Sequence, residues 1–182
     1  MKKYFLKNFN IIQNEIKQID ISFLEKITKL ILKTSKNKKK VIICGNGGSA
    51  ATSSHVSVDL TLNGKIKTIN FNESDLITCF ANDFGYAKWV KKSLEFYAEK
   101  GDLLILISCS GQSKNLVEAN NYALKKKINV VSLTGCKRNN LLNSKKNKLK
   151  LWVNSINYNH IEIIHHLILL SVVDKIISLK KK

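Results

Sequence analysis

The segment from Val41 to Asp59, VIICGNGGSAATSSHVSVD, constrains this chain more than any other stretch. Val41-Ile42-Ile43-Cys44 is short, apolar and largely β-branched, the composition of a strand buried on both faces of a sheet. Gly45-Asn46-Gly47-Gly48 ends it. Three glycines in these four residues open backbone angles closed to other residues and let a ligand approach the main chain closely. Ser49 then stands where a helix begins, so its hydroxyl and the free N–H groups of the first turn can together hold an anion. On that helix His55 and Asp59 are four residues apart and share a face. A phosphate cradle with a His/carboxylate pair behind it points to a small phosphorylated ligand on which chemistry is done.

A second segment repeats the plan. The apolar run Leu103 to Ile107 leads into Ser108-Cys109-Ser110-Gly111-Gln112-Ser113 and then a helix over Lys114 to Lys126. Three hydroxyls and the N–H groups of that helix's first turn converge on one anion in this arrangement. Around the two segments, apolar spacing predicts helices over Lys7 to Lys17 and Asp20 to Thr34. It also predicts helices over Leu76 to Asn82 and Tyr86 to Glu99, broken near Gly85, and a long closing helix over Asn157 to Leu179. The apolar residues of that closing helix cover more than one core-facing stripe needs, so the surplus is expected against other subunits. Further strands are expected at Ile66 to Phe71, Ile128 to Thr134 and Leu149 to Val153. Cys136 to Lys148 reads as a polar, basic connection.

Strands alternating with helices imply a parallel sheet covered on both faces, an α/β fold of the doubly wound, flavodoxin-like or Rossmann-like kind. With 182 residues, 44% of them hydrophobic, one core is the expectation. The division expected is a helical pair over 1–36 and an α/β core over 40–182, together one domain. In such sheets ligands sit beyond the carboxyl ends of the strands, where both glycine/serine loops fall.

A formal net charge of +18 raises nucleic acid as a partner. The charge is almost all lysine, Arg138 is the sole arginine, and no basic stripe is interleaved with aromatics. Solvated lysine faces explain it, and no specific nucleic-acid partner is expected. Ile161 to Ile177 is apolar but holds Glu162, His165, His166, Asp174 and Lys175, which excludes a membrane helix. Cys44, Cys79, Cys109 and Cys136 are scattered, the pattern of a reduced, cytoplasmic chain. The first twenty residues lack the apolar run and cleavage site of a secretory leader, so a mature N-terminus is expected.

GNGGSAA at Gly45 to Ala51, ANDFG at Ala81 to Gly85, SCSGQS at Ser108 to Ser113 and LTG at Leu133 to Gly135 occur in one order. Together they resemble the SIS (sugar isomerase) domain, and within it the phosphoheptose isomerase branch. The resemblance implies a five-stranded parallel sheet and a homotetramer with ligand pockets between subunits. It implies conversion of sedoheptulose 7-phosphate to an aldoheptose 7-phosphate for surface glycans. By position it assigns Asn46, Gly47 and Gly48 to a first substrate loop, beside the Ser49 already read as an anion-binding residue, and Asn82 with Asp83 to a second contact. Ser108, Cys109, Ser110 and Ser113 fall on the phosphate loop, with cysteine in place of the usual threonine. His55 falls on a zinc ligand. Asp59 stands where the family has a metal-binding, catalytic glutamate, Glu162 where it has a glutamine ligand, and Leu170 where it has the catalytic, metal-binding histidine.

Isomerising a 2-ketose requires a base to move a proton between C1 and C2 and an acid or metal to manage the two oxygens. Asp for Glu shortens the reach by roughly 1.5 Å, and misplacement by about 1 Å costs on the order of a hundredfold. Leucine serves neither role. His166 lies one helical turn before Leu170 and Glu162 one turn before that, all on one face. The expectation is therefore a divalent cation, zinc, held by His55, Asp59, Glu162 and His166, with Asp59 as base and His166 as acid. His160, in the first turn of the closing helix, is a further candidate. Of the adjacent pair His165 and His166, which point in different directions, at least one is expected to be an interface or core histidine. The alternative is a non-catalytic SIS protein that senses a sugar phosphate or serves as a scaffold, as the similar protein that associates with the bacterial replication initiator does.

Overall fold

Five runs of branched and leucine side chains become five parallel strands in the computed structural model, which describes residues 1–180. In chain order the elements are α1 (Lys2–Lys17), α2 (Ile21–Lys36), β1 (Val41–Gly45), α3 (Gly48–Leu62), β2 (Thr68–Ile69) and α4 (Ser74–Phe84). They continue with α5 (Trp89–Tyr97), β3 (Leu103–Ser108), α6 (Lys114–Lys125), β4 (Asn129–Thr134), β5 (Leu149–Trp152) and α7 (Tyr158–Lys180). The strand order is β2-β1-β3-β4-β5. The chain starts at β1, winds out to β2, then crosses to β3 and on to the other edge. The topological switch therefore lies between β1 and β3, which pair from Val41↔Leu103 to Gly45↔Ile107.

Alternate residues of a strand face opposite sides, and both sides are apolar here. Val41, Ile43, Leu103, Ile105, Ile107, Val131 and Leu133 pack against α2, α3 and α7 in one cluster. Ile42, Cys44, Leu104, Leu106 and Val130 pack against α5 and α6 in the other. At about 1.5–3 kcal/mol for each fully buried side chain, β1 and β3 are the most firmly held part of the chain. The loops that leave their carboxyl ends inherit that rigidity.

Three expectations need correction. Ile66 to Phe71 supplies only the two-residue strand Thr68–Ile69, because it lies at the sheet edge and pairs with β1 at Val41 and Ile42 alone. The first helix begins at Lys2, not Lys7. The apolar surplus on the closing helix is mostly absorbed inside the chain: Ile161, Ile164, Ile168, Leu169, Val172, Val173 and Ile176 are all buried. Tyr158, Ile163, Leu167 and Leu179 stay largely open there. The uncovered apolar surface is on α1, which has no buried residue and exposes Tyr4, Phe5, Leu6 and Phe9. Among the described residues, no helix is long and apolar enough to cross a membrane.

Candidate active site

Both glycine/serine loops open at the switch between β1 and β3, and the local sequence sets each one. After Gly45 the chain turns through Gly47, whose φ of +53° suits glycine, and α3 starts at Gly48. A Cβ on Gly45 would stand 2.6 Å from the Ser49 backbone, so this turn admits no larger residue without displacing α3. Asn46 is fixed from across the sheet. Its amide donates to Asn115 Oδ1 at 3.1 Å and accepts from Asn115 Nδ2 at 2.8 Å, and the Tyr86 hydroxyl donates to it at 3.3 Å.

In the second loop the Ser108 hydroxyl accepts from the Gly111 N–H at 3.1 Å and lies 3.4 Å from the Ser113 hydroxyl. The Ser110 hydroxyl accepts from the Gln112 N–H at 3.2 Å. Ser113 is the N-cap of α6 yet makes no capping hydrogen bond, so its hydroxyl stays available beside the first-turn N–H groups. Asn46, Ser49, Ser108, Cys109, Ser110 and Ser113 line a cavity of about 100 Å³, closed by Ile107, Tyr158 and Glu162. That is a third or less of the roughly 300–1,000 Å³ typical of small-molecule pockets. It has room for a phosphate group, and the remainder of a sugar phosphate extends beyond it. Larger grooves lie elsewhere, between the α1–α2 turn and β5 and along α2 and α7, but neither carries both loops.

Glu162 enters this cavity from α7. Its carboxylate lies so close over Gly48 that a Cβ there would overlap it, and the Cys109 thiol donates to Oε1 at 3.8 Å. Burial, with the Glu162 carboxylate adding to it, pushes the Cys109 thiol up to about 12. The thiol therefore stays protonated at neutral pH. Cysteine in the middle of the loop acts as a weak donor, not as a nucleophile.

The remaining expected residues gather beside the cavity rather than in it. His55 and His166 meet edge to face, with Nδ1 of His55 3.0 Å from Nε2 of His166. The other ring nitrogen of His55 is 3.3 Å from Asp59 Oδ2. The result is a line, Asp59 to His55 to His166. Burial, then the neighbouring His55, hold His166 below its ordinary value.

The four-donor cation site expected of His55, Asp59, Glu162 and His166 is not assembled by these contacts. A catalytic zinc ion takes three protein ligands around one point. Here only the two facing nitrogens share a side, Asp59 is on the far edge of His55, and Glu162 is turned to Cys109. Among the described residues no three His, Cys, Asp or Glu side chains gather so as to hold a metal ion.

Asn82 and Asp83 are likewise not brought to the cavity. They sit exposed at the end of α4, where the Asn82 amide donates to Asp83 at 3.0 Å. His160 and His165 prove structural. His160 bridges Glu15 at 3.1 Å and Asn8 at 2.9 Å, tying α1 to α7. His165 is fully buried beside the Thr134 carbonyl, 3.2 Å away, and burial pushes it down to about 4. Sequence reasoning missed Asn115 and Tyr158. Asn115 could have been found as a polar residue in the first turn of a helix that follows a phosphate loop; Tyr158 offered no signal beyond its place at a helix start.

A doubly wound α/β sheet with two strand–loop–helix anion cradles at its switch point defines a class of phosphate-ester-binding proteins. The SIS domain model matches residues 4–135. The phosphoheptose isomerase of Buchnera aphidicola subsp. Acyrthosiphon pisum is 34% identical over 183 residues, covering 93% of this chain and 95% of that protein. That of Cytophaga hutchinsonii is 37% identical over 170 residues, covering 88% and 87%. The phosphoheptose isomerase structures from Neisseria gonorrhoeae and Francisella tularensis both superpose with a TM-score of 0.87 at 26% identity. They cover 96% and 98% of this chain respectively, and 96% of each of theirs. The chain belongs to the SIS domain family, in its phosphoheptose isomerase branch.

Proposed function

We propose that the protein is an aldose-ketose isomerase that converts sedoheptulose 7-phosphate to an aldoheptose 7-phosphate. The observation that carries this is the single cavity on which Ser108, Ser110, Ser113 and the start of α6 close, and which Glu162 also enters. The phosphate anchors there by charge-assisted hydrogen bonds, and the sugar extends outward past α3 and α7. The reaction needs a proton moved between carbons and a donor at oxygen. His166, backed by His55 and oriented through it by Asp59, is the proposed donor. A zinc ion, expected from the resemblance, requires His55 to release one of its two partners and Glu162 to turn from Cys109. Metal analysis of the purified protein measures that requirement.

The cavity is too small for a whole sugar phosphate and α1 exposes an aromatic face, and both support a homotetramer whose subunits complete one another's pockets. Four free cysteines support a cytoplasmic location, and the product suits heptose supply to surface glycans such as lipopolysaccharide. The purified protein, incubated with sedoheptulose 7-phosphate and followed by NMR with and without zinc, tests the reading; accumulation of the aldose is expected. A second reading, a binder without turnover, draws on one observation: Leu170 packs against the core at the position where the resemblance implies a catalytic histidine. Tight binding of the ketose phosphate with no conversion would favour it.

A further inference from the structure

Of the nine residues that line the cavity, only Glu162 carries a carboxylate, and none carries an imidazole. Asp59, the base expected from the resemblance, faces His55 with one oxygen at 3.3 Å and accepts from the Asn63 amide with the other at 3.4 Å. Both of its oxygens are engaged within α3 and its C-cap, by His55 and Asn63. Cys109 is turned to Glu162 as a donor, and the serines are hydroxyls without a base against them. From these contacts we infer that Glu162 is the general base of this isomerase, taking over on α7 the role that the shorter Asp59 has lost on α3.

Three features of its setting fit that role. The Glu162 carboxylate lies against Gly48, the first residue of α3, where the helix dipole favours a negative charge. The Cys109 thiol, a weak donor 3.8 Å away, orients Oε1 without neutralising it. Glycine at 48 is what allows the carboxylate into the cavity at all, since any side chain there would overlap it. The carboxylate therefore stands at the mouth of the phosphate cradle, where the carbons of an anchored sugar pass.

The step balances without a co-reactant. Glu162 takes the proton from C1 of the ketose, the C1–H electron pair becomes the C1–C2 π bond, and the carbonyl π pair moves onto O2, which gains a proton. O1 then releases its proton as the C1 carbonyl forms, and Glu162 returns its proton to C2. One proton arrives at O2 and one leaves O1, so nothing is oxidised or reduced overall.

This inference rests on the isomerase reading, and one experiment separates the two. Wild type, Glu162→Gln and Asp59→Asn are each given sedoheptulose 7-phosphate in D2O. Turnover and deuterium entry at C1 and C2 are followed by NMR, and affinity by calorimetry. Glu162→Gln, which keeps the shape of the side chain, is expected to lower kcat at least about a hundredfold and to suppress deuterium entry equally, with affinity unchanged or tighter. Asp59→Asn is expected to lower kcat less than Glu162→Gln does. Glu162→Gln with wild-type turnover, or Asp59→Asn as the more damaging change, would overturn the assignment while leaving the isomerase reading in place. A wild-type protein that binds the sugar but neither converts nor exchanges it would overturn both.

Discussion

Ser108, Ser110 and Ser113 come from six consecutive residues, whereas His55 and His166 meet across 111 positions of sequence. The phosphate half of the site is backbone and hydroxyl, fixed by Gly45, where a Cβ would collide with the main chain, and by Gly111, where one would collide with the Asn140 side chain. The acid–base half is long side chains on two helices, and its geometry depends on how α3 and α7 dock. The comparison teaches that a phosphate cradle is a local device. A proton-transfer set is a tertiary one, free to change its members when the docking is kept.

Breaking the local device should have the largest effect. Gly45→Ala places a Cβ 2.6 Å from the Ser49 backbone, which no side-chain rotation relieves. The expected loss is about 3 kcal/mol in urea unfolding, the upper end of overpacking costs, together with loss of sugar-phosphate binding. A stable Gly45→Ala protein that binds normally would show that the first loop is not rigid.

Acid should act next, and on the packing of α7 against the sheet. The folded state holds His165 down to about 4, so between that pH and the ordinary 6.5 the unfolded chain binds more protons and stability falls as pH falls. Full stability is present above 6.5, and on the order of 2–3 kcal/mol is lost by pH 4. His165→Leu should flatten this slope in denaturation measured at successive pH values.

Smaller effects sharpen the same contrast. Ser110→Ala with Ser113→Ala should weaken sugar-phosphate binding by about 2 kcal/mol, as expected for lost hydrogen bonds to a charged group. Unchanged calorimetric affinity would remove these hydroxyls from the site. Asn115→Ala leaves Asn46 without its paired amide and should cost about 1 kcal/mol of binding. Stability changing while affinity holds would make that pair purely structural.

The contrast also explains what the sequence made legible. Strand–loop–helix segments such as Val41 to Asp59 are specified by neighbours in sequence, so both cradles and the parallel sheet could be placed from residues alone. Thr68–Ile69 was overestimated because strand length at an edge is set by pairing partners, not by propensity. The apolar surplus of α7 was assigned to other subunits because periodicity alone does not reveal that α2, α3 and the sheet surround the helix. Helical spacing put Glu162 and His166 on one face correctly. It could not show that one would turn into the cavity beside the thiol of Cys109 and the other onto His55, since those partners come from other elements.

The separation of the two halves is open to one direct measurement. The His55→Ala/His166→Ala double variant and the wild type are each titrated with sedoheptulose 7-phosphate by calorimetry while conversion is followed by NMR. Affinity within about threefold of wild type, with turnover lowered on the order of a hundredfold or more, is the predicted result. Loss of binding in parallel with turnover would contradict it, because the cradle would then depend on the side chains it is held to stand apart from.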